Sequence, residues 1–312
     1  MRHYGCISRG KNQKRRQLDT NSPLISAGYV WTAINKKIFQ FAEVMKTPIT
    51  ILLSVLVLIF SPIGQLPAWG ALQVPILLYH RFGPVASDGM TVTTPLFESH
   101  LKYLRDNGYR VIPLRDLVDH YLGKREAPPS HSVVITVDDG HISVYSDMFP
   151  LVRRYQCPVT LFIYPSAISN ASYAMTWGQL RELKETGFFD LQSHTFWHPN
   201  FKKDKKRLTP AEYDNLVSAQ LTKSKDKLKK ELNIRVDMLA WPFGIYDDDL
   251  IHKAKAAGYA ATYTMERHPA NSLDNVMALP RYLMTNGNSG RTWTTILTDS
   301  SRGWKDALKQ KR

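Results

Sequence analysis

At 312 residues, with 43% hydrophobic composition, seven Trp and twelve Phe, the chain carries enough apolar material for one large domain or two small ones, which excludes a disordered protein. Its two cysteines, Cys6 and Cys157, lie on opposite sides of a hydrophobic segment, which excludes a disulfide framework. The formal net charge is +14, and half of it falls upstream of Ala71; the moderately basic remainder suits a surface working near anionic envelope polymers, and solubility alone explains it equally.

In chain order, the first feature is the apolar run Ile49–Phe60, preceded by Lys46 and followed by Pro62, Pro67 and Ala68-Trp69-Gly70. It has the length of a secretory signal core and falls short of the roughly 20 residues needed to span a bilayer. Cleavage is expected before Ala71, with an uncleaved membrane anchor as the alternative. Met45-Lys46 offers a compact start, so residues 1–44 read as a misassigned upstream frame or a cytoplasmic tail, 45–70 as signal peptide or anchor, and 71–312 as the mature domain.

From Val74 onward, short apolar runs alternate with amphipathic stretches, the pattern of repeated βα units. Strands are predicted at Val74–Tyr79, Tyr109–Pro113, Val133–Val137, Val159–Ile163, Phe188–Gln192, Asp237–Trp241 and Tyr259–Thr264. Helices are predicted from a Thr94 cap to Gly108, then over Leu114–Leu122, Ser143–Tyr155, Thr176–Glu185, Pro210–Leu232 and Asp248–Ala257, with a Pro-rich linker at Ala127–Ser130. The fold class is α/β, a single irregular (β/α) barrel with its chemistry at the carboxyl ends of the strands.

Those strand ends carry the polar residues. Asp138-Asp139-Gly140 puts two carboxylates where a buried strand enters a glycine turn. Like charges that close raise one pKa unless a cation intervenes, so a metal would let one Asp ligate while the other stays free as a base. An Asp-Asp-Gly turn capping the next helix is the structural alternative. His194 and His198, after another strand, stand four residues apart, a spacing that faces both rings one way on a helical turn. Position 195 is Thr, so this is not the zinc-protease helix motif. Two His and one Asp make a three-ligand site with positions left open for water and substrate. His80 ends the first strand, and Trp241-Pro242-Phe243-Gly244 ends another in a rigid aromatic turn that could line a sugar or present a backbone N–H to an oxyanion. For each of these, packing is the ordinary alternative.

Together these four pieces resemble the polysaccharide deacetylase family, carbohydrate esterase family 4, over Val74 to Met284. Thr136-Val137-Asp138-Asp139-Gly140 is similar to the family's T-F-D-D-G motif, and His194-Thr195 to His198 is similar to its H-[ST]-x-x-H motif. Tyr79-His80 resembles the N-terminal Tyr-His element of a circularly permuted branch that includes poly-N-acetylglucosamine deacetylases. The resemblance implies that Asp139, His194 and His198 hold a divalent metal, with zinc the expected ion. It further implies that Asp138 is the base, that His80 is the acid, and that acetate is released from an acetylated, exported or periplasmic polysaccharide. Two positions depart from the pattern: Val137 replaces Phe, and Ala240 stands where many members carry an Arg. The second leaves the base without its usual cationic partner. Arg281, after Leu279-Pro280, is expected to supply that charge, because a guanidinium can grip a carboxylate through two hydrogen bonds.

Three rival readings remain in view. Small-amide, imide or ester hydrolysis would keep the fold and metal, with export and basic surface favouring a polymer. A non-catalytic glycan binder could stack sugars on Trp177, Trp197, Trp241 and Tyr282, but the intact set of five polar residues argues for an enzyme. Nucleic-acid binding rests on Lys202–Arg207 alone, and an exported protein rarely meets that partner. No nucleic acid is therefore expected, and a membrane only through the N-terminal segment.

Overall fold

The computed structural model describes residues 72–298. The expected tail, signal segment and cleavage position lie outside them. Among the described residues, no helix is long and apolar enough to cross a membrane.

Eight parallel strands form one curled sheet. Along its path lie β1 (Ile76–Tyr79), β5 (Ser132–Asp139), β6 (Val159–Ile163), β7 (Phe189–Ser193), β8 (Met238–Ala240) and β9 (Ala261–Tyr263), with β10 (Tyr282–Leu283) on the far side of β1 and β4 (Arg110–Val111) paired to β5. The seam is narrow: a single bridge joins Tyr263 to Leu279, just before β10, so the barrel is irregular and incompletely closed. At its mouth, β2 (Arg81–Gly83) pairs with β3 (Thr91–Thr93) in a separate ribbon, which the sequence reading lacked.

Alternation along each strand builds two apolar layers. Ile76, Val134, Phe162, Met238, Ala240, Ala261 and Tyr263 belong to one cluster inside the barrel. Leu77, Tyr79, Val133, Ile135, Val137, Leu161, Ile163, Leu239 and Trp241 pack outward against the helices. Successive side chains on a strand point to opposite faces, so in β5 the parity of Val134 carries Thr136 and Asp138 inward.

The helices follow their sequence signals closely, with local exceptions. Helix α1 (Thr94–Asp106) begins one residue beyond the true cap, Thr93, whose side chain makes no capping bond. Pro95 in the first turn initiates it instead. Helix α2 is Leu114–Tyr121. The helix expected at Ser143–Tyr155 is split, with a π-helical turn at Val144–Met148 preceding α3 (Phe149–Tyr155). Capping boxes start α4 (Trp177–Glu185) at Thr176 and α6 (Pro210–Leu232) at Thr209. Between these two, the Lys202–Arg207 cluster expected in a loop forms a short helix, α5 (Phe201–Arg207), capped by the Asn200 side chain and anchored by buried Phe201. Helices α7 (Asp248–Ala256) and α8 (Gly290–Thr298) complete the order.

Candidate metal and catalytic site

The carboxyl end of β5 solves the problem of two adjacent aspartates by breaking the alternation. Asp138 keeps the inward parity, while Asp139 (φ 79°) and Gly140 (φ 82°) both take left-handed backbone conformations, which turns Asp139 toward the pocket instead of the helices. Gly140 has little alternative: a Cβ there would lie 3.1 Å from Ile168 Cδ1 in a conformation that L side chains rarely adopt.

His194 and His198 come together by a route the sequence did not suggest. Their segment is not a helical turn; it is a bend in which Thr195 (φ 65°) and His198 (φ 63°) are left-handed. A side chain of α6 holds the bend, because buried Gln220 accepts hydrogen bonds from the Phe196 and Trp197 amides at 3.1 and 2.9 Å. The His198 amide donates to Thr195 Oγ1 at 3.2 Å.

Asp139, His194 and His198 offer ligand atoms that all lie within 4.8 Å of one another. His194 Nδ1 donates to the Ala240 carbonyl at 2.8 Å, which fixes the tautomer and leaves the Nε2 lone pair 3.6 Å from Asp139 Oδ1. His198 Nε2 stands 3.7 Å from the same oxygen. Burial lowers the His194 pKa to about 3 and that of His198 in the same direction, so both rings are neutral at pH 7. Burial raises the Asp139 pKa, and neighbouring Asp138 adds to the shift. The Asp139 oxygen and the two imidazole lone pairs converge on one point, and a shared cation would satisfy all three donors and offset the cost of burying the carboxylate. The donor set therefore fits a divalent ion.

Asp138 sits beside this cluster, its Oδ2 lying 3.8 Å from His194 Nε2. Arg281 grips it through both oxygens, Nη1 to Oδ1 at 2.8 Å and Nη2 to Oδ2 at 2.7 Å. The guanidinium is fully buried, and its Nε donates to the Thr264 carbonyl at 3.1 Å. Its plane lies over the Phe162 and Tyr263 rings. Burial alone would raise the Asp138 pKa, but the charge and paired hydrogen bonds of Arg281, with His194 and His80 nearby, hold it below the ordinary range. Arg281 reaches this position because it lies at the barrel seam, between the Leu279 bridge and β10.

His80 lines the same cavity, of about 430 Å³, together with Asp138, Asp139, His194, His198 and Phe243. It stands apart from the cation cluster, and its Nδ1 is buried without a hydrogen-bond partner. Burial lowers its pKa, against the pull of Asp138 and Asp139. The Phe243 residue is left-handed (φ 57°), with its ring half exposed and 4.6 Å from that of His198.

Two aromatic expectations hold only in part or not at all. Trp241 is among the residues lining the cavity, but its side chain is fully buried, with the indole N–H donating to Thr262 Oγ1 at 2.9 Å, and Tyr282 is buried as well. Neither offers an open ring face to a sugar. Alternation explains Trp241: Ala240 faces in, so its successor faces out. Sequence reasoning missed Arg81 and Tyr164, which also line the cavity. Tyr164 directly follows the last residue of β6 and Arg81 lies two residues past the end of β1, and this closeness to strand carboxyl ends was the available signal. It also missed Gln220, a polar interruption of the apolar face formed by Val217, Leu221 and Leu228.

Residues 125–262 match the sequence profile of the polysaccharide deacetylase family. The chain is 27% identical over 218 residues to the Bacillus subtilis (strain 168) protein YxkH, covering 70% of this chain and 74% of that one. It is 25% identical over 199 residues to the poly-beta-1,6-N-acetyl-D-glucosamine N-deacetylase of Staphylococcus aureus (strain MRSA252), covering 62% and 68% of the respective chains. Its fold is similar to that of the Streptococcus pyogenes deacetylase PplD, solved in complex with acetate, with a TM-score of 0.65 at 23% identity, covering 73% of this chain and 99% of that one. The profile spans the aspartate pair, the histidine pair and strands β5 to β8, and the barrel places those residues in one cavity: over this stretch the chain is similar to the polysaccharide deacetylase family, and its fold is similar to that of a deacetylase.

Proposed function

We propose that the protein is a metal-dependent deacetylase that removes N-acetyl or O-acetyl groups from an extracellular or cell-envelope polysaccharide. The observation that carries this reading is the juxtaposition of three convergent acceptors, Asp139, His194 and His198, with a carboxylate held ionised by Arg281. A divalent cation bound there would supply Lewis-acid polarisation of the acetyl carbonyl and of a water molecule. Imidazole and carboxylate donors favour zinc among the common candidates.

The chain's own groups divide the remaining work. Asp138, ionised and fixed in rotamer by the guanidinium fork, accepts the proton of the attacking water. His80, outside the cation cluster, delivers a proton to the departing amine. Phe243 is left-handed and lines the cavity, which supports its backbone amide as the donor that stabilises oxyanion charge without depending on a particular side chain. Products are acetate and a free amine, or a hydroxyl for an O-acetyl group.

N-acetylglucosamine is the expected sugar, on the strength of what the staphylococcal relative is named for acting on. The acid histidine's place directly after the first strand, ahead of the matched 125–262 stretch, supports a circularly permuted arrangement. Export through residues 45–70 accords with that substrate, and N-terminal sequencing of secreted protein should find Ala71 first; a mature chain retaining Ile49–Phe60 would make the segment an anchor. The reading as a whole is tested by incubating purified protein with a panel of acetylated glycans and small amides. Acetate release from glycans supports it, whereas turnover of small amides alone would move the activity to the rival hydrolase class.

A further inference from the structure

Helix α5 begins three residues after His198 and has no part in the chemistry described above. Its seven residues nevertheless carry Lys202, Lys203, Lys205, Lys206 and Arg207.

Helix formation does not ask for these charges. Lys202 and Lys203 occupy the first turn, where positive charge opposes the helix dipole. The pairs Lys202 with Lys206 and Lys203 with Arg207 place like charges four residues apart on one face, in a helix too short to have much stability of its own. The segment is held from below instead. The Asn200 side chain accepts from the Lys203 amide at 3.0 Å, and Phe201 is fully buried, edge-on to Trp241 at 6.0 Å between ring centroids. A fixed mount for mutually repelling cations is a local conflict of the kind that marks a functional surface.

Two of the five cations are neutralised within the protein, Lys205 by Asp247 at 2.7 Å and Arg207 by Asp204 at 2.9 Å. Lys202, Lys203 and Lys206 are exposed, and among the described residues no carboxylate pairs with them. Asp214 and Asp249 pair with Lys253, and Glu212 closes the Thr209 cap. Lys202 and Lys206 stand with the Lys205–Asp247 pair around a cavity of about 350 Å³ that Tyr213 also lines. The three unpaired lysines outnumber the one unpaired acid beside it, Asp248, so the patch attracts anions.

The chemistry of the patch selects among them. Ammonium groups are compact point charges that suit phosphate, whereas the single guanidinium, whose fork would suit a carboxylate, is occupied by Asp204. Each exposed contact is weak and screened by salt, so a small anion gains little, and a flexible chain that meets several cations at once gains far more. A bilayer-binding helix shows an apolar face beside its cations, but the apolar residue of α5, Phe201, is buried. Nucleic-acid bases stack on open aromatic faces; Tyr213 is buried, with Lys205 over its ring.

Resting on the cell-envelope placement in the function proposed above, we propose that α5 is a docking surface for an anionic envelope polymer with phosphodiester repeats. Lys202, Lys203 and Lys206 hold the polymer while the catalytic cavity works on the glycan.

The test measures binding of fluorescently labelled poly(glycerol phosphate) to the purified metal-loaded protein at low and high salt. It compares the wild type with a triple variant, Lys202→Gln, Lys203→Gln and Lys206→Gln, and with a control that removes equal charge from exposed positions on α6, Lys223→Gln, Lys229→Gln and Lys230→Gln. The wild-type dissociation constant should rise about tenfold or more between roughly 50 and 300 mM salt, as expected for several released counterions. At low salt the α5 variant should bind about tenfold or more weakly than wild type, and the α6 control within about threefold of it. Lys202→Gln and Lys206→Gln made singly, each weakening binding about twofold or more, keep the test decisive if the triple variant does not fold. The surface is overturned if the wild type does not bind, if both triple variants weaken equally, or if phosphatidylglycerol vesicles or a single-stranded oligonucleotide bind more tightly at equal phosphate. Binding is read without turnover, so its failure overturns this surface alone, and failure of bound protein to release acetate from any acetylated glycan overturns the deacetylase reading alone.

Discussion

At the scale of single residues, the site depends on how a buried carboxylate is kept charged. Asp138 receives two hydrogen bonds from a guanidinium that is itself buried and held by a backbone carbonyl. Lysine carries the charge but not the fork. We therefore expect Arg281→Lys to fold and bind metal while kcat falls about a hundredfold, within the range for a misplaced general base; a kcat within threefold of wild type would remove Arg281 from the mechanism. The sequence made this pairing legible only through a missing arginine at position 240 and the need for one elsewhere. It said nothing of Thr264, whose carbonyl fixes the guanidinium.

Two buried histidines set the acid limit of stability. Burial lowers the His194 pKa to about 3 and the His100 pKa to about 4, and His100 is further occupied by the Tyr79 hydroxyl and the Asn288 carbonyl. Their folded values lie below the unfolded value near 6.5, so between them the unfolded chain binds more protons. Stability is then full above pH 6.5 and is lost as pH falls toward 4 and 3. Each ring contributes about 1.4 kcal/mol per pH unit in that window. Denaturant titration of metal-stripped protein should give a free energy lower by roughly 2 kcal/mol per histidine at pH 5 than at pH 6.5; equal values would mean that the rings are solvated.

At the scale of elements, periodicity located most strands and helices, because each has one apolar face and a cap or breaker at its ends. Helix α6 runs over the span that its Thr209 box and Asn233 end suggest. What periodicity hid was everything that departs from it. Asp139, Thr195, His198 and Phe243 all take left-handed conformations, and these four positions decide which side chains share the cavity. Local sequence marks such positions only when glycine occupies them, as at Gly140. Trp241 is the converse case: strict alternation was there to be read and assigns it to the outer face.

The long helix also acts on the site. Gln220, buried on α6, holds the bend between the two metal-binding histidines through two amide hydrogen bonds. Gln220→Met preserves shape and removes the acceptor. Its metal dissociation constant, read by competition with a chromogenic chelator, should rise about tenfold, as for other groups that orient ligands indirectly. An unchanged constant would mean that the bend is held by its backbone alone.

At the scale of the whole molecule, the barrel gathers residues from distant parts of the chain: His80 after β1, Asp138 and Asp139 from β5, the histidine pair after β7, and Arg281 from the seam. Parallel strands present all their carboxyl ends at one rim, which is why a motif at each strand end was enough to anticipate a common site. The seam was less legible, since β10 is only Tyr282–Leu283 and its link to β9 is a single bridge. Such short pairings leave no period to detect.

The central claim is that the Asp139–His194–His198 cluster holds a cation needed for deacetylation. It is tested most directly by measuring acetate release from a poly-N-acetylglucosamine substrate with protein stripped by a chelator and then titrated with zinc. The account predicts that activity is lost on stripping and returns to a plateau at one equivalent of metal, with no recovery in His198→Ala. Full activity in protein shown to be metal-free would contradict it.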